Sequence, residues 1–144
     1  MIGAGDFDGD GADSILFSYA NGAKYYALDL DQTATELGVS DSGWEVRAIG
    51  DFSGDGRDDI IAFNAATGLV AKWENGNSSS WSSLGQLDAA DWFIAGAGDY
   101  NGDGTDDLLV RQYSTGMLGY YADADLSKWN EMGRGVDMNW AVIA

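Results

Sequence analysis

The 144-residue sequence has no cysteine and no histidine. Without cysteine there is no disulfide, no thiol chemistry and no cysteine-based zinc site. Without histidine the commonest general base and the usual transition-metal ligand are gone. Basic residues are scarce: 7 Lys and Arg against 24 Asp and Glu leave a net charge of −17. A surface this acidic argues against nucleic acid and against anionic membranes as partners. No apolar run approaches the ~18 residues of a membrane span, so membrane insertion is not expected, and no signal peptide is visible. A missing signal does not fix a cytosolic home. The chain opens in the middle of a repeat, as a piece cut from a longer precursor would.

What the sequence does have is a core-forming composition and an internal repeat. Hydrophobic residues make up 45%, enough for one folded domain over residues 1–144 despite the charge. An acidic, glycine-studded stretch occurs three times: Gly5-Asp6-Phe7-Asp8-Gly9-Asp10-Gly11, Gly50-Asp51-Phe52-Ser53-Gly54-Asp55-Gly56 and Gly98-Asp99-Tyr100-Asn101-Gly102-Asp103-Gly104. Each runs into an apolar, strand-like segment. Counting from the first aspartate, side-chain oxygens fall at positions 1, 3, 5 and 9. These are Asp6, Asp8, Asp10 and Ser14, then Asp51, Ser53, Asp55 and Asp59, then Asp99, Asn101, Asp103 and Asp107. Oxygens so spaced make a cage for a hard cation, calcium above all. The glycines let the backbone turn tightly enough to aim them inward. Up to three calcium ions would bring the net charge from −17 to −11 and relieve self-repulsion.

The repeat extends beyond the loops. Trp44, Trp92 and Trp140 stand 48 residues apart, each opening a short segment that leads toward a loop. Asn21-Gly22, Thr67-Gly68 and Thr115-Gly116 mark turns, and Leu37-Gly38, Leu84-Gly85 and Met132-Gly133 fall at equivalent later places. This punctuation predicts four strands per unit. The first leads into the loop (45–49, 92–97, 140–143) and the second leaves it (14–19, 59–63, 107–112). The third follows the turn (23–28, 69–74, 117–122), and the fourth precedes the Leu-Gly or Met-Gly pair (33–37, 80–84, 128–132). The predicted fold is all-β, three four-stranded units of ~47 residues of the propeller-blade type. The units run approximately 1–43, 44–91 and 92–139, with 140–144 as a closing strand.

Asp-x-Asp-x-Asp-Gly-x-x-Asp between apolar strands resembles the FG-GAP/VCBS repeat of integrin-alpha-type and bacterial surface proteins. The resemblance covers essentially the whole chain. It implies calcium-bound blades of a β-propeller in secreted, cell-surface or adhesive proteins; lectins with similar loops also exist. It also implies a backbone carbonyl ligand at Ala12, Arg57 and Thr105. The third loop carries the full set, the second has the weaker Ser53, and the first has Ser14 in place of a final carboxylate, with Asp13 one place early. The expected order of affinity is third, second, first. An EF-hand is excluded: its position-12 glutamate is replaced by Phe17, Ala62 and Val110, and strands follow rather than a helix.

Closure is left open by three units, because propellers use four to eight blades. The alternatives are a fragment of a longer chain, a homo-oligomer in which two copies make six blades, or a threefold β-prism or β-trefoil. No catalytic residues are indicated: adjacent strand residues such as Asp58-Asp59 and Asp106-Asp107 point to opposite faces. There is also no facing carboxylate pair outside the loops and no nucleophile elbow. The expected function is therefore a non-catalytic, calcium-binding structural or adhesive module of an extracellular or surface protein. The rival is a lectin-like module that binds glycan, with Trp73 and Trp81 as the ring faces on which a sugar would stack; the partner is a glycan or a surface protein.

Overall fold

In the computed structural model, residues 2–19, 24–39 and 43–133 are described. They form twelve strands: β1 (Gly3–Gly5), β2 (Ser14–Tyr19), β3 (Lys24–Leu28), β4 (Ala34–Val39), β5 (Trp44–Gly50), β6 (Asp59–Asn64), β7 (Leu69–Trp73), β8 (Trp81–Gln86), β9 (Trp92–Gly98), β10 (Asp107–Gln112), β11 (Leu118–Tyr121) and β12 (Trp129–Gly133). The strands make three four-stranded antiparallel sheets, β1 to β4, β5 to β8 and β9 to β12, each a meander in chain order. The fold is all-β, with blade-like repeats and no α-helix among the described residues. Short 3-10 turns occupy Glu74–Gly76, Ser78–Ser80 and Ala122–Ala124. The expected turn at Asn21-Gly22 and the closing strand 140–144 with Trp140 lie outside the described residues.

Alternation along the second strand of each unit explains how the sheets stack. Successive side chains face opposite sides of a sheet. In β6, Ile60 and Ala62 pack with Phe7, Leu16, Tyr25 and Leu37 of the first sheet. Ile61 and Phe63 turn the other way, against Leu108 and Val110 of β10. The middle sheet is thus covered on both faces, and β6 is buried along five of its six residues. That is why it reads as a continuous apolar run rather than an alternating one.

The Leu-Gly and Met-Gly pairs have a structural meaning that the sequence did not reveal. They were expected to end the fourth strands, but those strands run through them. Leu37, Leu84 and Met132 are the extra residues of a β-bulge, since the partner register skips each of them. Gly38 and Gly85 follow with φ of 139° and 134°, a conformation only glycine adopts without strain.

Trp73 does not offer a ring face to a ligand. It is 5% exposed and meets Tyr25 edge-on at 5.3 Å. Although Lys72 and Glu74 on either side of it are polar, the β7 alternation turns it into the core between the first two sheets. Trp81, its cross-strand neighbour, is 59% exposed.

Candidate metal-binding loops

Each acidic loop joins the first and second strands of its sheet, and the first aspartate holds it in shape. Asp6 accepts backbone hydrogen bonds from Gly9 (2.7 Å), Asp10 (3.2 Å) and Gly11 (2.9 Å). Asp51 accepts from Gly54, Asp55 and Gly56 at 2.7, 3.2 and 2.8 Å. Asp99 accepts from Gly102, Asp103 and Gly104 at 2.6, 3.2 and 3.0 Å. Gly54 and Gly56 have φ of 73° and 83°, so the chain doubles back in a left-handed conformation that points its N–H groups at the carboxylate. Desolvation pushes the Asp6 carboxyl up, but the N–H bonds from Gly11, Gly9 and Asp10 outweigh it and hold Asp6 below the usual carboxylate range.

Residues at positions 3 and 5 continue the pattern. Asp10 donates its N–H to Asp8 (3.1 Å) and Ala12 to Asp10 (2.8 Å); Asp103 donates to Asn101 (2.8 Å) and Thr105 to Asp103 (3.0 Å). In the second loop Arg57 donates to Asp55 (2.9 Å), while the Ser53 hydroxyl reaches Asp51 only at 3.4 Å. In the first loop, carboxylate oxygens of Asp6, Asp8 and Asp10 all lie within 4.8 Å of one another. The donor set is oxygen throughout, which suits a hard cation such as calcium.

The position-9 residues Ser14, Asp59 and Asp107 lie beneath the loops, buried at 4%, 0% and 0% exposure. Asp107 is fully served, accepting from the N–H of Tyr100 (2.9 Å) and of Asp123 (3.1 Å) and, more weakly, from Asn101 (3.4 Å). Asp59 is not. Its Oδ1 accepts from Asn75 (2.8 Å), but Oδ2 has no hydrogen-bond partner, with the Lys72 ammonium 3.6 Å away. Burial pushes the Asp59 pKa up to about 6, against the opposing pull of the Asn75 bond and Lys72. A buried carboxylate oxygen that accepts no hydrogen bond is costly, the Lys72 ion pair offsets only part of that cost, and the oxygen's chemistry fits a cation.

Two roles escaped the sequence reading. The Ser14 hydroxyl donates to Asp29 at the end of β3, which sets a carboxylate beside the position where the first loop lacks one. The position-8 aspartates, expected only to face away from the loops, tie neighbouring repeats together. Asp58 accepts from the Asp6 N–H (2.8 Å) and returns its own N–H to the Asp6 carbonyl (2.7 Å). Asp106 does the same to Asp51, at 3.0 and 2.8 Å. Burial raises the pKa of both Asp58 and Asp106. Only an alignment of loop against loop in space makes this pairing visible.

Residues 51–110, from the second loop through the third and into β10, match a family model described as an FG-GAP-like repeat. Over this stretch the chain is similar to an FG-GAP-like repeat. No curated protein and no solved structure matches the chain. The match spans the two loops whose position-9 aspartates are fully buried. FG-GAP-like repeats are structural or adhesion-type modules, generally non-catalytic, and typical of extracellular and surface proteins. No helix among the described residues is long and apolar enough to cross a membrane.

Proposed function

We propose that the chain is a non-catalytic, calcium-binding repeat module of a secreted or surface protein, with a structural and adhesive role. The observation that carries this reading is the thrice-repeated oxygen cradle, with a fully buried Asp59 whose Oδ2 accepts no hydrogen bond and has only the Lys72 ammonium, 3.6 Å away, to offset its charge. Asp6, Asp8 and Asp10, with the Ala12 carbonyl and Ser14, would hold the first ion. Asp51, Ser53, Asp55, the Arg57 carbonyl and Asp59 would hold the second. Asp99, Asn101, Asp103, the Thr105 carbonyl and Asp107 would hold the third. A bound ion supplies positive charge to a crowded carboxylate cluster. The chain does the rest: three backbone N–H groups fix the first aspartate, and the buried ninth residue anchors the loop to its sheet. Metal binding and folding are thereby coupled.

Loops of this extracellular class bind at ~0.1–1 mM. They fill outside cells and stay empty in cytosol, which supports an extracellular or surface location. Thermal melting in EDTA, then in about 5 mM calcium with magnesium as control, tests the reading. Each filled site should add about 1–2 kcal/mol, and a melting temperature indifferent to calcium would sink it.

A lectin-like reading retains one specific support. Trp81 is 59% exposed and directly follows Ser80, which with Asn77 lines a cleft of about 420 Å³ between the first two sheets. Sugar-dependent quenching of tryptophan fluorescence that vanishes in Trp81→Ala would favour glycan as the partner.

A further inference from the structure

The tie between repeats has a direction, and that direction leaves two complementary halves unused. In each observed tie, a position-8 aspartate of one unit grips the position-1 residue of the unit before it: Asp58 grips Asp6, and Asp106 grips Asp51. Among the described residues, Asp13 of the first unit grips nothing, and Asp99 of the third is gripped by nothing. Their exposure agrees. Asp6, Asp51, Asp58 and Asp106 are half-buried, whereas Asp13 and Asp99 are exposed.

The glycines report the same asymmetry. A Cβ on Gly5 would meet the Asp58 carboxylate at 2.8 Å and its Cβ at 3.2 Å; one on Gly50 would overlap the Asp106 carboxylate. Both glycines are required because the neighbour's aspartate sits against them. Among the described residues, the nearest atoms to a Cβ on Gly98 all belong to the Tyr100 ring of its own loop, so the same opening stays clear of a neighbouring aspartate. Gly9 and Gly54 are touched by Arg57 and Thr105 of the next unit, while no described residue lies within 4 Å of a Cβ on Gly102. On the first sheet, Ile15 is 44% exposed, although its equivalents Ile60 and Leu108 are both 0% exposed under the preceding unit.

We propose that the Asp13 side of the first unit docks onto the Gly98-Asp99 side of the third unit of a second copy of this chain. The contact repeats the tie seen twice within the chain, and both halves are on the same molecule, so the interface is heterologous, head to tail. Two copies joined at both ends close a ring of six units, within the four to eight blades that propellers use. A carboxylate acceptor on one side meets an N–H donor on the other, which offsets part of the repulsion between two acidic chains.

Sedimentation velocity at about 0.15 M salt should reveal a species of twice the 15.3 kDa chain mass, with dissociation raised at least tenfold in Asp13→Ala. Because Asp13 is exposed and bonds to nothing among the described residues, this variant keeps the intrachain ties intact. The chain has no cysteine, so a double variant, Asp13→Cys with Gly98→Cys, gives a second readout. The corresponding Cβ positions within the chain are 3.2 and 3.1 Å apart, a few tenths short of a relaxed disulfide span. Mild oxidation should yield one covalent dimer with no free thiol. A monomer at all concentrations, a dimer indifferent to Asp13→Ala, an internally cross-linked monomer or a ladder of higher species would each overturn the proposal.

Discussion

At the scale of single residues, the loops balance carboxylates that gain by being charged against buried ones that lose, Asp58, Asp59 and Asp106. Asp6 and Asp103 are held below the usual range, Asp103 chiefly by the Thr105 hydroxyl and N–H. Asp59 is pushed up to about 6 by burial. Its folded pKa lies above that of an exposed aspartate, ~3.9, so the folded state binds this proton more tightly than the unfolded chain. In EDTA its contribution to stability is therefore greatest below about pH 4 and is lost as pH rises to about 6. Chemical denaturation across that window should show wild type losing up to about 3 kcal/mol relative to Asp59→Asn. Equal pH slopes would show that burial does not raise the Asp59 pKa in the folded state. In the third loop, Asp107→Asn should weaken one calcium site by tenfold or more in calorimetric titration while leaving the others intact. Unchanged binding at all sites would remove Asp107 from the ligand set.

At the scale of elements, the strand-to-loop junctions are where packing and chemistry meet. Gly50 closes β5 against Asp106, so Gly50→Ala should cost about 1–3 kcal/mol by breaking the tie to the third loop. Gly98→Ala, at the equivalent junction with no neighbour aspartate, should cost less than about 0.5 kcal/mol in the monomer. Comparing the two denaturation midpoints tests the role of the tie directly, since strand position is the same. Gly76 combines both constraints: its φ is 72°, and a Cβ there would meet Phe7 at 2.8 Å and Leu37 at 3.1 Å. Gly76→Ala should therefore destabilise by about 2 kcal/mol or more, read as a lower denaturant midpoint.

At the scale of the whole molecule, charge sets the behaviour. A net charge of −17 on a chain this size repels itself. In EDTA, raising sodium chloride from about 0.01 to 0.15 M shortens the screening length from roughly 30 to 8 Å. The melting temperature should climb over that range, and the climb should be smaller once calcium has neutralised the loops. The three leading strands β1, β5 and β9 converge on a common groove of about 260 Å³ lined by Ile2, Gly3, Ala4, Val46 to Ile49 and Ala95 to Ala97. The acidic loops lie at the ends of those strands, so charge gathers where the sheets meet.

The four-strand unit and the places of eleven of the twelve observed strands, all but β1, were determined by the sequence alone. They rest on local signals: glycine turns, apolar runs and a repeat near 47 residues, each acting over a few residues. The acidic loops were legible for the same reason, but the sequence marked Asp6, Asp51 and Asp99 only as cation ligands, not as acceptors of their loops' own N–H groups three to five residues on. What tertiary structure alone decided lies between units. Whether a tryptophan with polar neighbours is a ligand platform or core, as Trp73 proved to be, depends on which sheet stacks on it. That Asp29 stands beside Ser14, and that Asp58 and Asp106 reach back 52 and 55 residues to the preceding loop, follows from the packing of separate meanders. No local pattern encodes such a contact, because its partners meet only after the sheets have formed and stacked.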